Sequence, residues 1–190
     1  MDDKKELRQR LRALRRDHVA ALPPTMKALL FLRPPAPLAA MIPDDAVVGL
    51  YHATAQEAPT RSYAKWFSEN GRRIALPWFA DRDSPMLFRE WRDPYEDSDL
   101  VESPWGGLQP QDESPELIPD TAFVPLLGFT GDGWRIGQGG GHYDRWLGAN
   151  PSVQAIGLAW DCQLLDSLPV EPHDIPMRAV VTPSRLYHGD

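Results

Sequence analysis

Hydrophobic and polar residues along this chain follow two periods, one typical of helices and one typical of strands. The first helix is predicted over residues 3–22, where leucines recur at helical spacing until a proline pair interrupts them. The leucines that carry this pattern are Leu7, Leu11, Leu14 and Leu22. Further helices are predicted over residues 60–71, where a glycine closes the segment, and over residues 142–149.

Short runs rich in β-branched and aromatic residues predict strands between these helices. The runs cover residues 46–51, 72–77, 86–91, 122–129, 155–160 and 179–183. Because helices alternate with several of these strands, we expect the α/β class, with a three-layer α/β/α arrangement around a mostly parallel, doubly wound, Rossmann-like sheet. Ligands of such sheets bind beyond the carboxyl ends of the strands, where residues 128–142 are expected to lie.

The predicted elements are expected to form a single domain. No internal repeat divides residues 1–190, and this length suits one domain with a sizeable core. The helix 3–22 is expected to pack on that domain. Proline accounts for 20 of the 190 residues, about twice its usual share, so we expect long, stiff loops. The proline-rich segment 103–119 is interpreted as a long loop that crosses a binding site.

The charge and the cysteine content exclude several classes of protein. A net charge of −7 repels polyanions, so a nucleic-acid partner is not expected, although the N-terminal helix is locally basic. Cys162 stands alone, which excludes an internal disulfide or a cysteine zinc site and agrees with a reducing compartment. No apolar run approaches the roughly 18 residues of a membrane span. We expect a cytoplasmic monomer without a membrane partner.

The stretch "RIGQGGGHYDRWL", residues 135–147, carries the most informative chemistry in the chain. Glycines leave backbone N–H groups bare, and a run of them before a helix forms an anion-binding nest. A P-loop is excluded because Gly141 is followed by His142 rather than by lysine, and the dinucleotide fingerprint also fails at His142. A phosphate is the natural ligand, but a simple tight turn is an open alternative.

The charged residues of this stretch suggest that a metal ion binds together with the phosphate. A carboxylate such as Asp144 is repelled by a polyphosphate unless a divalent cation lies between them, and Mg²⁺ is usually held by one or two carboxylates together with phosphate oxygens. Asp144 is also a favourable charge at a helix N-terminus, which needs no metal. Arg135 and Arg145 flank the glycines and either bind phosphate or lie on the surface.

The longer stretch "VPLLGFTGDGWRIGQGGGHYDRWL", residues 124–147, resembles the signature of the 5-formyltetrahydrofolate cyclo-ligase family, also called methenyltetrahydrofolate synthetase. Weaker similarity continues in the expected order, in a Lys-x-x-x-Arg pair on the first helix and in "QEAPT", "WGGLQP" and "LPVEPHD". The resemblance implies that the chain converts 5-formyltetrahydrofolate and MgATP into 5,10-methenyltetrahydrofolate, ADP and phosphate. ATP is the co-substrate in this reaction, and only small molecules are expected as partners.

The resemblance also implies a role for individual residues. The expected ATP contacts are Lys4, Arg8, Arg135, Gly137, Gln138, Gly139, Gly140, Gly141, His142 and Tyr143. The expected folate contacts are His52, Glu57, Trp105, Gly139, Gly140, Gly141, His142 and Tyr143. Asp144 and Asp174 are the expected magnesium ligands, and Arg135, Tyr143 and Arg145 are expected to act in catalysis.

Departures from the family pattern leave other interpretations open. His142 stands where the family usually has an aromatic residue, Gly140 where some members have lysine, and Gln138 where an aromatic or basic residue is more frequent. A divergent paralogue acting on another small heterocycle, or a non-catalytic module that binds a nucleotide or folate, would also fit. An alternative for Lys4 and Arg8 is a basic surface of the first helix that includes Arg10, Arg12, Arg15 and Arg16.

Overall fold

The structure, a computed structural model, describes residues 2–189, so both ends of the predicted domain 1–190 lie outside the described residues. The helices are α1 (Asp2–Ala21), α2 (Pro24–Leu29), α3 (Ala36–Ala39), α4 (Arg61–Glu69) and α5 (His142–Ala149), with a 3₁₀ turn at Asp161–Gln163. The first six strands are β1 (Val47–Gly49), β2 (Arg73–Trp78), β3 (Leu87–Glu90), β4 (Leu100–Glu102), β5 (Leu108–Pro110) and β6 (Thr121–Val124). The others are β7 (Gly128–Thr130), β8 (Arg135–Ile136), β9 (Gln154–Leu158), β10 (Leu164–Leu165), β11 (Ala179–Val181) and β12 (Leu186–His188).

Seven strands form the central sheet in the order β12-β11-β9-β6-β1-β2-β3. The five inner strands pair in parallel, and the edge strands β12 and β3 are antiparallel to their neighbours. The prediction of a mostly parallel sheet is therefore confirmed. The chain passes from β1 to β2 on one side and later continues from β6 on the other, so the winding direction reverses between β1 and β6. Ligands of doubly wound sheets bind at such a switch point.

Alternate residues of the inner strands enter two hydrophobic cores on opposite faces of the sheet. Ile74 and Leu76 of β2 belong to the core that contains α4, whereas Ala75 between them belongs to the core that contains Trp146 and Leu147 of α5. This alternation follows from the two-residue period of a strand. Helices therefore cover both faces of the sheet, as the three-layer prediction requires.

The buried face of α1 follows the predicted leucine stripe except at one position. Leu11 is buried and Leu7 and Leu22 pack against the hydrophobic clusters. Leu14 is 44% exposed, and Arg15 and Val19 are buried on this face. Leu11 packs with Leu127 and Ile136 beside the small sheet β10-β7-β8. Lys4, Arg8 and Arg12, likewise spaced by four residues, lie on one face of the helix.

Two predicted segments have a different structure. The strand predicted over 122–129 is two strands, β6 and β7, because Pro125 cannot donate a ladder hydrogen bond and the chain leaves the central sheet there. Part of the predicted loop 103–119 is the turn and second strand of the β4–β5 hairpin. Within residues 2–189, no helix has the length and apolar character needed to cross a membrane.

Candidate active site

A cleft of about 570 Å³ lies at the carboxyl ends of the strands that flank the switch point. Residues that follow β1, β2 and β6 line it, among them Tyr51, Phe79 and Pro125. The glycine loop, here residues 137–141, forms another wall, and the turn of the β4–β5 hairpin a third. The position of the cleft agrees with the expectation for a doubly wound sheet.

The glycine loop runs from β8 into the N-terminus of α5. Gly139 (φ 109°) and Gly141 (φ 67°) adopt positive φ, which side chains with a Cβ rarely allow. A Cβ on Gly141 would lie 2.9 Å from Nη1 of Arg145, and one on Gly140 would lie 2.8 Å from the ring of His142. The loop conformation therefore requires glycine, and it leaves backbone close to the cleft.

Two basic residues of α1 line the cleft, and a third binds the glycine loop without lining the cleft. Lys4 and Arg8 line it, and the Arg8 Nε donates to the Gly137 carbonyl oxygen at 3.0 Å. Arg12 binds the next loop residue: its Nε donates to Oε1 of Gln138 and its Nη2 to the Gln138 carbonyl oxygen, both at 3.0 Å. The basic helix is therefore fixed against the glycine loop rather than forming an independent charged surface.

Arg135 and Asp144 form a buried ion pair at the floor of the cleft. Nη2 of Arg135 donates to Oδ1 of Asp144 at 2.7 Å, and both side chains are largely buried. The same oxygen accepts the backbone N–H of Ile175 at 3.3 Å, which brings the segment after Asp174 beside Asp144. Burial lowers the pKa of Arg135, and the Asp144 carboxylate opposes that effect.

Lys4 forms a second charged cluster with the loop 171–174. Its ammonium group donates to Glu171 at 2.7 Å and to Asp174 at 3.0 Å. Burial lowers the pKa of Lys4, but the hydrogen bonds to these two carboxylates outweigh burial and raise it. Glu171, His173 and Asp174 lie close enough together to hold a cation. Asp144 is not part of that group, although it lines the same cleft.

The ring of His142 belongs to an aromatic wall, which consists of Phe79, Trp105 and His142. The His142 ring centroid lies 5.0 Å from that of Phe79 and 4.9 Å from that of Trp105, both in edge-to-face orientation. Burial, followed by the charge of Arg145, lowers the pKa of His142. The ring is therefore neutral near pH 7, which disfavours a cationic role towards phosphate.

The predicted folate residues His52 and Glu57 also line the cleft. Oε2 of Glu57 accepts the Thr54 N–H at 2.9 Å, and His52 Nε2 lies 3.7 Å from Oδ1 of Asp97. The hydroxyl group of Tyr143 is buried without a hydrogen-bond partner among the described residues. Burial, with the charge of Glu57, raises the pKa of Tyr143, so the hydroxyl remains a donor.

The cleft brings together all but one of the predicted site residues. The exception is Arg145, which is exposed and does not line the cleft; its Nη2 lies 3.2 Å from Nδ1 of His142. Sequence reasoning missed Arg12, Phe79 and Glu171. Arg12 could have been found by extending the four-residue spacing from Lys4 and Arg8, whereas nothing in the sequence marks Phe79.

A family model described as the 5-formyltetrahydrofolate cyclo-ligase family matches residues 1–183. The chain belongs to this family. Among the curated members it resembles, the 5-formyltetrahydrofolate cyclo-ligase of Escherichia coli (strain K12) is 30% identical over 188 residues, covering 95% of this chain and 98% of that protein. The cyclo-ligase of Mycolicibacterium smegmatis is 36% identical over 127 residues, covering 62% of this chain and 63% of that protein.

Solved structures show the same cyclo-ligase fold. A 5,10-methenyltetrahydrofolate synthetase from Mycoplasma pneumoniae superposes with a TM-score of 0.65 at 23% identity, covering 94% of this chain and 97% of that one. The Aquifex aeolicus 5,10-methenyltetrahydrofolate synthetase gives a TM-score of 0.61 at 23% identity, covering 97% of this chain and 84% of that one. At this identity the two structures support the fold alone.

Proposed function

We propose that this protein is an ATP-dependent 5-formyltetrahydrofolate cyclo-ligase that forms 5,10-methenyltetrahydrofolate, ADP and phosphate. One structural observation supports the proposal in addition to family membership. A single cleft joins the glycine loop with Lys4, Arg8 and Arg135, suited to phosphates, to a region with a carboxylate and an aromatic wall, suited to a pterin. A reaction that transfers a phosphoryl group to a folate needs these two regions side by side.

The chemistry explains why no protein nucleophile is needed. The formyl carbon is amide-like and its oxygen is a poor leaving group, so the oxygen first attacks the γ-phosphorus of ATP and ADP departs. N10 of the same substrate then attacks the activated carbon, the C–O bond breaks with release of phosphate, and the N10 proton is lost. The protein contributes alignment and charge stabilisation, which are the main terms in phosphoryl transfer.

The phosphate end of the cleft is proposed to consist of the glycine loop, Lys4, Arg8 and Arg135. Nε of Arg135 is buried without a partner among residues 2–189, and so is the Tyr143 hydroxyl; unpaired buried donors of this kind are costly unless a ligand accepts from them. We propose that these two groups donate to phosphate or formyl oxygens during the reaction. The predicted phosphate role of Arg145 stays a prediction.

The folate end is proposed to consist of Glu57, His52 and the aromatic wall. A carboxylate accepts well from the adjacent N–H groups of a pterin ring, and Glu57 has one oxygen, Oε1, not engaged by the Thr54 N–H. Trp105 is 47% exposed and stands at the edge of the cleft, where a flat heterocycle could cover it. Burial of that surface would contribute to folate affinity.

Asp144 and Asp174 are proposed to hold Mg²⁺ together with ATP. Hard carboxylate oxygens suit this ion, and Oδ2 of Asp144 accepts no hydrogen bond from the described residues. Bound Mg²⁺ would neutralise phosphate charge beside these carboxylates. Lys4, which now pairs with Asp174, would then be free to bind a phosphate oxygen.

We propose that the protein acts as a monomer. The lone Cys162 is in keeping with a reducing compartment, and we propose that the protein acts in the cytoplasm on small-molecule substrates.

The proposed activity is tested by mixing the purified protein with MgATP and 5-formyltetrahydrofolate and recording the near-ultraviolet absorbance of the methenyl product. We expect product formation that depends on both substrates. ATP and folate binding without product, in a folded protein, would instead support the non-catalytic module.

The metal role is tested by Asp144→Asn and Asp174→Asn. We expect each to raise the Mg²⁺ concentration needed for half-maximal turnover while the Kd for 5-formyltetrahydrofolate stays within about twofold. Asp144→Asn also leaves Arg135 buried without its partner, which costs about 3 kcal/mol of unfolding free energy. The comparison is therefore made on protein shown to be folded by its thermal transition. An unchanged Mg²⁺ requirement in both variants would remove these carboxylates from the metal site.

A further inference from the structure

We propose that Arg12 is a positioning residue that orients the glycine loop for nucleotide binding without contacting the nucleotide itself. The inference rests on the proposed function in one respect, that the loop binds the phosphates of ATP. Neither the sequence pattern nor the family signature pointed to Arg12.

The contacts of Arg12 are directed at one loop residue. Nε donates to the side-chain Oε1 of Gln138 and Nη2 to its backbone oxygen, both at 3.0 Å. One turn earlier on the same helix, Arg8 donates to the carbonyl oxygen of Gly137 at 3.0 Å. Two consecutive loop carbonyl groups are therefore held by two arginines of α1.

The geometry of the peptide bond fixes the direction of the N–H groups that follow these two carbonyl groups. The C=O and N–H groups of a trans peptide point in opposite directions. The carbonyl groups of Gly137 and Gln138 point towards α1, so the N–H groups of Gln138 and Gly139 point away from it. Neither N–H has an acceptor among the described residues, and both residues line the cleft. The helix therefore turns two backbone donors towards the proposed phosphate position.

The need for such a restraint follows from the composition of the loop. Four glycines in residues 137–141 give a segment with little intrinsic preference for one conformation. A guanidinium group can bind two acceptors at a fixed angle, which a lysine ammonium group cannot reproduce. Arg12 does not line the cleft, so its effect on the nucleotide is exerted through Gln138.

The partners of Arg12 also favour a positioning role over a purely electrostatic one. Within residues 2–189, Arg12 forms no ion pair with a carboxylate, and its hydrogen bonds go to the neutral amide and carbonyl oxygens of Gln138. Arg10, two residues earlier, is also exposed, and among the described residues it forms no hydrogen bond or ion pair with the loop. It offers a matched control with the same charge on the same helix.

The experiment compares Arg12→Ala, Arg12→Lys, Gln138→Ala and the double variant R12A/Q138A with Arg10→Ala. The Kd for MgATP is measured by titration, independently of turnover, and KM and kcat follow from the absorbance assay. We expect R12A to raise the Kd and KM for ATP about tenfold, with the Kd for 5-formyltetrahydrofolate unchanged. Lysine should restore little of this loss. Q138A should give a smaller loss, and the double variant should fall short of the product of the two single effects.

Two outcomes would overturn the proposal. If R12K binds MgATP as the wild type does and the R12A and Q138A effects multiply, Arg12 acts as a charge near the phosphates and not through Gln138. If R12A matches R10A, Arg12 has no role in binding. Should R12A fold poorly, R12K and Q138A still decide between these results. Failure of the proposed function would be visible separately, as wild-type protein that binds MgATP but forms no methenyl product.

Discussion

His142 illustrates, at the scale of single residues, how a departure from a family pattern can preserve a physical role. The sequence showed only that a histidine replaces an aromatic side chain before Tyr143. The structure places the imidazole edge-to-face against Phe79 and Trp105, contacts that any aromatic ring can make. The identity of the contacts could not be predicted, because Phe79 and Trp105 come from distant segments of the chain.

This interpretation predicts that His142→Phe retains kcat/KM for both substrates within about threefold, since the aromatic contacts survive and the lowered pKa of His142 already makes the ring neutral near pH 7. His142→Ala should raise the KM for 5-formyltetrahydrofolate about tenfold, because two aromatic contacts are lost. Steady-state kinetics at neutral pH checks both values. A phenylalanine variant as impaired as the alanine variant would show that the imidazole nitrogens are required.

Elements with a strong apolar pattern were predictable from the sequence, and those without one were not. Residues 60–71 and 142–149 contain helices α4 and α5 because an apolar face recurs at helical spacing. The hairpin β4–β5 was missed because its strands, LVE and LQP, lack the apolar run that marks the equally short β1 and β11. In α1 the stripe was predicted correctly except at Leu14, which is exposed, while Arg15 takes a buried position and donates to the Leu126 carbonyl oxygen.

The ion pairs of Glu90 at the edge pair β2–β3 predict that the free energy of unfolding falls at acid pH. Glu90 of β3 accepts from Arg73 at 3.0 Å and from Arg92 at 3.2 Å, and its side chain is only 15% exposed. Burial raises the pKa of Glu90, but the hydrogen bonds to both arginines outweigh burial and lower it. A carboxylate with a lowered folded-state pKa stabilises the fold above its unfolded value, and the contribution disappears as the pH falls through the folded value.

We therefore expect the unfolding free energy of the wild type to fall more steeply between about pH 6 and pH 3 than that of Glu90→Gln. The difference should be about 1 kcal/mol or less, because both arginines are more than half exposed. Urea unfolding at several pH values measures it. Glu102→Gln, at an exposed position of β4, is the control, and equal slopes for wild type and Glu90→Gln would contradict the assignment.

The whole molecule combines a negative net charge of −7 with a cleft that Lys4, Arg8 and Arg135 line beside the glycine loop. Composition alone could not locate this local concentration of cationic side chains. The family signature named residues that the fold brings to one cleft, with the exception of Arg145. Their pairing, such as Arg135 with Asp144 and Lys4 with Asp174, is a property of the fold, since only the sheet order brings the loops together.

The contacts of α1 also bear on how the molecule is made. Its bonds to the glycine loop span 129 and 126 residues of chain, and the bond from Lys4 to Asp174 spans 170. A ribosome releases the helix before its partners, so these contacts of α1 cannot form until residue 174 has emerged. Until then the protein has no complete binding site for the nucleotide it is proposed to consume.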